Sequence, residues 1–141
     1  MKRNLMAALL ASAGMCLASG AFAAEVAYGA QLSGKHESPT NDSPATGSAD
    51  MRFNTETREL TWTIDFKDLT GPSIGAHIHG AASPGTNAGV LIPFTNPTSP
   101  ITGSATLTET QAQALEDGKL YVNIHTSKHP GGEVRGQLER K

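Results

Sequence analysis

Between Leu60 and Phe66 the chain alternates strictly, with Leu60, Trp62, Ile64 and Phe66 apolar and Thr61, Thr63 and Asp65 polar. A period of two is the side-chain period of a β-strand, so this segment buries one face and wets the other. Val26, Tyr28, Ala30 and Leu32 alternate in the same way with smaller or polar residues, and so do Ala49, Met51 and Phe53. Asn54 to Thr57, between the second and third runs, reads as a hairpin turn.

Further strands are predicted at Ile74–His79, Gly89–Phe94, Ile101–Leu107, Lys119–His125 and Glu133–Leu138. Gly and Pro clusters separate them, at Thr70-Gly71-Pro72, Ser83-Pro84-Gly85, Asn96–Pro100 and His129-Pro130-Gly131-Gly132. One short helix is expected after Thr108. This residue stands three before Gln111 in a capping-box arrangement, Ala112 and Leu115 share a face, and Gly118 can end the helix. The segment Glu37–Ser48, rich in Pro, Ser, Thr and Asn, is expected to be a long loop. The sum is an all-β fold, a single Greek-key β-sandwich or barrel of about eight strands with one short helix.

The N-terminus has the order of a secretory signal peptide. Lys2 and Arg3 precede an apolar stretch from Leu5 to Leu17, and small residues then end in Ala21-Phe22-Ala23. The stretch is too short for a transmembrane helix, which needs about 20 residues. Residues 1–23 are therefore read as a signal peptide and residues 24–141 as the β domain, in the periplasm or secreted. The rival reading is a lipid anchor on Cys16, but Met15 stands where a small residue is expected. Removing Lys2 and Arg3 takes the 11 basic residues to 9 against 13 acidic ones, a formal charge of −4. With no basic patch, nucleic acid and anionic membranes are poor partners. The lone cysteine leaves with the signal, so no disulfide supports the domain.

Three histidines carry the chemistry. His77 and His79 share a parity opposite to Ile74, Ala76 and Ile78, which places both imidazoles on one side of the sheet, about 7 Å apart along the strand. In the seventh strand Leu120, Val122 and Ile124 point inward, while Tyr121, Asn123 and His125 point outward. If the two strands are neighbours, His125 stands beside the pair. Three neutral imidazoles on a rigid sheet form a nitrogen site for copper or zinc. The blander alternative is that they bond loop backbone and hold strand ends together. His129, in a Pro-Gly turn, and His36, in the early loop, are weaker candidates for an additional ligand. Tyr121 and Asn123 share the ligand parity and are expected around the site. Glu37 is read as a partner for an arginine or a histidine, and Arg135 as pairing with Glu133, Glu37 or Asp65. No Ser-His-Asp set or carboxylate pair stands out, and no catalytic residue is assigned.

The same residues carry a resemblance. Ala76-His77-Ile78-His79-Gly80, Leu120-Tyr121-Val122-Asn123-Ile124-His125-Thr126 and Pro130-Gly131-Gly132-Glu133-Val134-Arg135-Gly136-Gln137-Leu138 resemble the signature blocks of the CHRD (chordin-type) domain family. Ala30-Gln31-Leu32-Ser33-Gly34 with Glu37 and Pro39 fits the start of that domain, although His36 and Ser38 replace its usual glutamine and valine. The resemblance covers nearly all of residues 24–141 and implies an all-β domain without implying one activity. More distantly, the order of these blocks is similar to that of Cu/Zn superoxide dismutases. That likeness implies copper-binding roles for His77, His79 and His125 and a place beside the copper for Arg135. The zinc-binding histidine-and-aspartate set and the disulfide cysteines of those enzymes are absent.

Three functions follow. The first is an exported module holding one copper ion on His77, His79 and His125, for metal handling rather than turnover. The second is a metal-free adhesion or interaction module that recognises another extracytoplasmic protein through loops around Thr40 and Thr95. The third is a copper enzyme acting on superoxide with Arg135.

Overall fold

Nine strands and one α-helix form within residues 24–141, the part of the chain that this computed structural model describes. The signal peptide expected over residues 1–23 lies outside the described residues. Strands β1 (Glu25–Ser33), β2 (Thr46–Asn54) and β3 (Glu59–Lys67) are the three alternating runs. They form an antiparallel meander, with Tyr28 opposite Met51 and Met51 opposite Trp62. The turn between β2 and β3 closes as the sequence implies. The Asn54 Oδ1 accepts hydrogen bonds from the backbone N–H groups of Glu56 and Thr57, so the side chain replaces a backbone acceptor.

The remaining strands are β4 (Ser73–His79), β5 (Val90–Pro93), β6 (Ile101–Thr106), β7 (Tyr121–Thr126), β8 (Val134–Gln137) and the short β9 (Glu139–Arg140). Their spatial order is β5-β4-β7-β8-β1-β2-β3-β6, with β9 on β1 and every pairing antiparallel. Eight strands therefore wrap into a nearly closed barrel, the all-β architecture expected.

The interior takes one parity from each strand. Leu60, Ile64, Ile78, Val122, Ile124, Val134 and Leu138 are wholly buried there beside Leu32, Phe53 and Trp62. The helix α1 (Glu109–Glu116) begins at a capping box. Thr108 Oγ1 accepts from the Gln111 N–H, and the Gln111 side chain accepts from the Thr108 N–H. Ala112 and Leu115 join the core, and Gly118, at φ +68°, turns the chain out of the helix.

Two expectations need correction. Ile74 does not share the interior with Ala76 and Ile78. It is 60% exposed, because the pairing of β4 with β7 shifts register between Ser73 and Gly75. The loop after Glu37 is also shorter than expected, since Thr46–Ser48 are already strand, paired with both β1 and β3.

Glu133 joins the loops at one end of the barrel. Its wholly buried carboxylate accepts from Ser43 Oγ (2.6 Å), Thr126 Oγ1 (2.7 Å) and both the N–H (2.8 Å) and Oγ1 (3.0 Å) of Thr70. Burial pushes its pKa up, but these hydrogen bonds outweigh that and hold it below the usual carboxylate value.

Candidate metal centre

Strands β4 and β7 are neighbours, and their register is what assembles the site. His77 lies opposite Asn123, His79 opposite Tyr121 and Gly75 opposite His125. Residues opposite one another share a face, so all three histidines stand on the outer face of the barrel wall, as their parity requires. Among the described residues, their ring nitrogens form one group lying within 4.8 Å of one another.

The outer face is not a solvent face here. Tyr121 and Asn123 are buried because loops fold over them. Parity reveals which side of a sheet a residue takes, but not what covers that side. The segment 80–89 is held against Tyr121, whose hydroxyl accepts from the Ala88 N–H and donates to the Ala88 carbonyl. His79 is 8% exposed, while His77 and His125 are half-buried.

Two backbone carbonyls set the imidazole orientations. His79 Nδ1 lies 3.0 Å from the Ala88 carbonyl oxygen, and His125 Nδ1 lies 2.9 Å from that of Pro130. A carbonyl only accepts, so each Nδ1 carries the proton and each Nε2 keeps its lone pair. The His79 Nε2 is buried and has no hydrogen-bond partner. A buried unpartnered nitrogen is costly unless something else occupies its lone pair. His77 Nδ1 lies 3.0 Å from His125 Nε2, close enough to donate a proton to it. The same spacing suits joint ligation, since two nitrogens each about 2.0 Å from one ion stand about 3 Å apart. The residues therefore fit a three-nitrogen metal site, with the His77 proton moving to its Nε2 when Nδ1 ligates.

Electrostatics favour the metal-ready, neutral form. Burial lowers the pKa of all three histidines. At His77 the neighbouring His125 and His79 lower it further. At His79 and His125 the carbonyl hydrogen bonds oppose the effect of burial without overcoming it.

The surroundings differ in part from expectation. Tyr121 touches the site directly, its ring stacked on His79 with centroids 4.9 Å apart and planes 3° from parallel. Asn123 instead donates to the Glu37 carboxylate and to the Val134 carbonyl oxygen. Glu37 therefore partners an amide, rather than an arginine or a histidine. Among the described residues Arg135 forms no ion pair. It is 1% exposed, lies 3.4 Å from the Tyr121 ring centroid, and donates to Asn87 Oδ1 (3.1 Å) and the Thr86 carbonyl (2.6 Å). Because β8 and β4 flank β7 on opposite sides, the Tyr121 ring stands between Arg135 and His79. Neither weaker candidate joins the cluster. His36 Nδ1 reaches the Gln31 and Arg135 carbonyls, both at 3.2 Å, and the backbone of His129 pairs with Thr126. Ala88 and Pro130 had no signal in the sequence, because a carbonyl acceptor belongs to every residue type.

Glu37 leads to a prediction. Burial pushes its carboxyl up to about 7, against the lowering effects of Arg135 and the Asn123 hydrogen bond. A raised acid contributes stability that is complete below its unfolded value of 4.5 and lost as pH rises through about 7. Glu37→Gln, which keeps an acceptor for Asn123, is expected to match the parent near pH 4.5. At pH 8 it should exceed the parent by about 3 kcal/mol in urea unfolding. Equal stabilities at pH 8 would show that the carboxylate ionises at no cost.

The family model described as the CHRD domain matches residues 28–138 of this chain. No curated protein and no solved structure matches it.

Proposed function

The chain belongs to the CHRD domain family, and on that premise we propose that it is an exported module that binds one copper ion through His77, His79 and His125. The observation that carries the reading is the buried, unpartnered Nε2 of His79 beside two further imidazole nitrogens. Imidazole suits copper, and the histidine pair sits on rigid paired strands rather than on a loop. Copper supplies no assigned reaction here, and the role proposed is holding and handling the ion. Placement in the periplasm or outside the cell is part of the same proposal and rests on the signal-type N-terminus.

Calorimetric titration with Cu(II) tests the site. One ion per chain is expected at pH 7.5. Protons compete for the same nitrogens, and because burial lowers the pKa of all three the competition sets in below the ordinary histidine value. Affinity should therefore fall by about tenfold or more between pH 6.5 and pH 4. An affinity independent of pH over that range would rule out histidine ligation.

A second reading, a metal-free interaction module, is favoured by a separate feature. A groove of about 740 Å³ runs over β1 and β2 beneath the 83–85 turn, lined by Gln31, Lys35, Thr40, Asp50 and Arg140 among others. On this reading a chelator leaves both stability and partner binding unchanged. The superoxide reading has weaker support, since Arg135 is engaged with Tyr121, Asn87 and Thr86.

A further inference from the structure

We infer that the three-histidine site takes copper as the monovalent, cuprous ion in preference to the cupric ion, because the buried Arg135 guanidinium is held behind Tyr121 and the ligands carry no negative charge. The inference deepens the copper reading above and rests on it.

Three observations lead to it. The first concerns ligand charge. His77, His79 and His125 are neutral donors, and among the described residues no carboxylate or thiolate joins their cluster. A divalent ion therefore brings two uncompensated charges into a partly buried place, whereas a monovalent ion brings one.

The second is the fixed cation nearby. Arg135 is 1% exposed, so water does little to screen its charge. The hydrogen-bond partners of its two terminal nitrogens, Asn87 Oδ1 and the Thr86 carbonyl oxygen, are both uncharged. Its face lies 3.4 Å from the Tyr121 centroid, and Tyr121 stacks on His79 at 4.9 Å. A unit charge at such a range, in a medium less polar than water, disfavours each added positive charge on the ion by about tenfold. The carboxylate that feels the Arg135 charge is Glu37, which hydrogen-bonds Asn123 rather than Arg135.

The third is geometry. Cu(II) prefers tetragonal surroundings, whereas the d¹⁰ cuprous ion has no such preference and accepts three nitrogens. His79 is pinned by the Ala88 carbonyl and by the Tyr121 stack. His125 is likewise held by the Pro130 carbonyl, so two of the three donor nitrogens are not free to rearrange toward the square plane that Cu(II) favours.

The test compares Cu(I) affinity, measured anaerobically against a chromogenic cuprous chelator, with Cu(II) affinity, measured against glycine. The chain should bind Cu(I) at least about tenfold more tightly than Cu(II), the size of the Arg135 charge effect alone. Arg135→Met should reduce that ratio about tenfold, equivalent to about 59 mV for a one-electron couple, and Arg135→Lys should restore much of it. At pH 8, where Glu37 is ionised in the parent, Glu37→Gln removes the offsetting carboxylate and should move the ratio the opposite way. Equal or tighter binding of Cu(II) by the parent overturns the inference while leaving the copper site standing. So does a ratio unmoved in folded Arg135→Met. If Arg135→Met does not fold, the parent ratio and the direction of the Glu37→Gln change decide. Binding of neither ion overturns both this inference and the copper reading.

Discussion

His125→Ala is expected to weaken copper binding by at least about a hundredfold while leaving the barrel folded. The imidazole supplies one of three ligand nitrogens, and losing even a supporting residue around a metal commonly costs 10–100-fold. It is also half-buried at the end of β7, outside the interior packed by Ile124 and Val122. Its hydrogen bonds are to the Pro130 carbonyl at 2.9 Å and from His77 Nδ1 at 3.0 Å, each a net contribution of about 1 kcal/mol. Function and fold should therefore separate at this position. His36→Ala and His129→Ala are the matched controls. Their rings lie outside the cluster, and binding within about twofold of the parent is expected. Isothermal calorimetry with a parallel thermal melt checks all three. Parent-like affinity in His125→Ala would remove His125 from the site.

The second large effect falls on a residue with no side chain. Gly132 has φ +129°, a conformation that L-residues rarely adopt. A Cβ there would also stand 2.5 Å and 2.8 Å from the two Glu37 carboxyl oxygens and collide with Asn123 Nδ2. Neither partner has room to yield, since Glu37 and Asn123 are 5% and 2% exposed and hydrogen-bonded to each other. Backbone strain and overpacking each cost about 1–3 kcal/mol. Gly132→Ala should therefore lose about 3 kcal/mol or more, read as a fall in the urea midpoint. Copper affinity should fall with it, because the 129–132 turn carries the Pro130 carbonyl that orients His125. A loss under 1 kcal/mol would mean that the turn relaxes without disturbing Glu37.

These positions show what the residue order conveys and what it leaves open. Leu60 to Phe66 announces its strand because a half-buried strand needs two kinds of residue in alternation, and Leu60, Trp62 and Ile64 do face the core. Thr108 and Gln111 announce the helix start because the capping box is a local bargain between two side chains and two N–H groups. The histidine trio was legible for the same reason, since parity alone puts His77, His79 and His125 on one face once β4 and β7 pair. Ile74 broke the pattern because a register shift depends on the partner strand as well as on its own sequence. Tyr121 and Asn123 have the expected parity but lie under loops, and loop placement is decided by contacts distant in sequence, such as Arg135 with Thr86 and Asn87. Arg135 reads as the partner of a carboxylate because an arginine in a last strand most often pairs with one nearby. It finds an aromatic face and neutral acceptors instead, a solution that depends on two strands and a loop meeting. Glu133, expected only as a partner for arginine, instead binds four donors from three segments.

The central claim is that one metal ion sits on His77, His79 and His125 and on no other histidine of the domain. Nitrogen-15 resonances of the imidazoles report ligation atom by atom, and the cuprous ion is diamagnetic. Titration with Cu(I) under anaerobic conditions is predicted to shift Nε2 of His79, Nε2 of His125 and Nδ1 of His77, all complete at one equivalent, with His36 and His129 unmoved. Shifts spread over all five histidines, or none at the three, would contradict it.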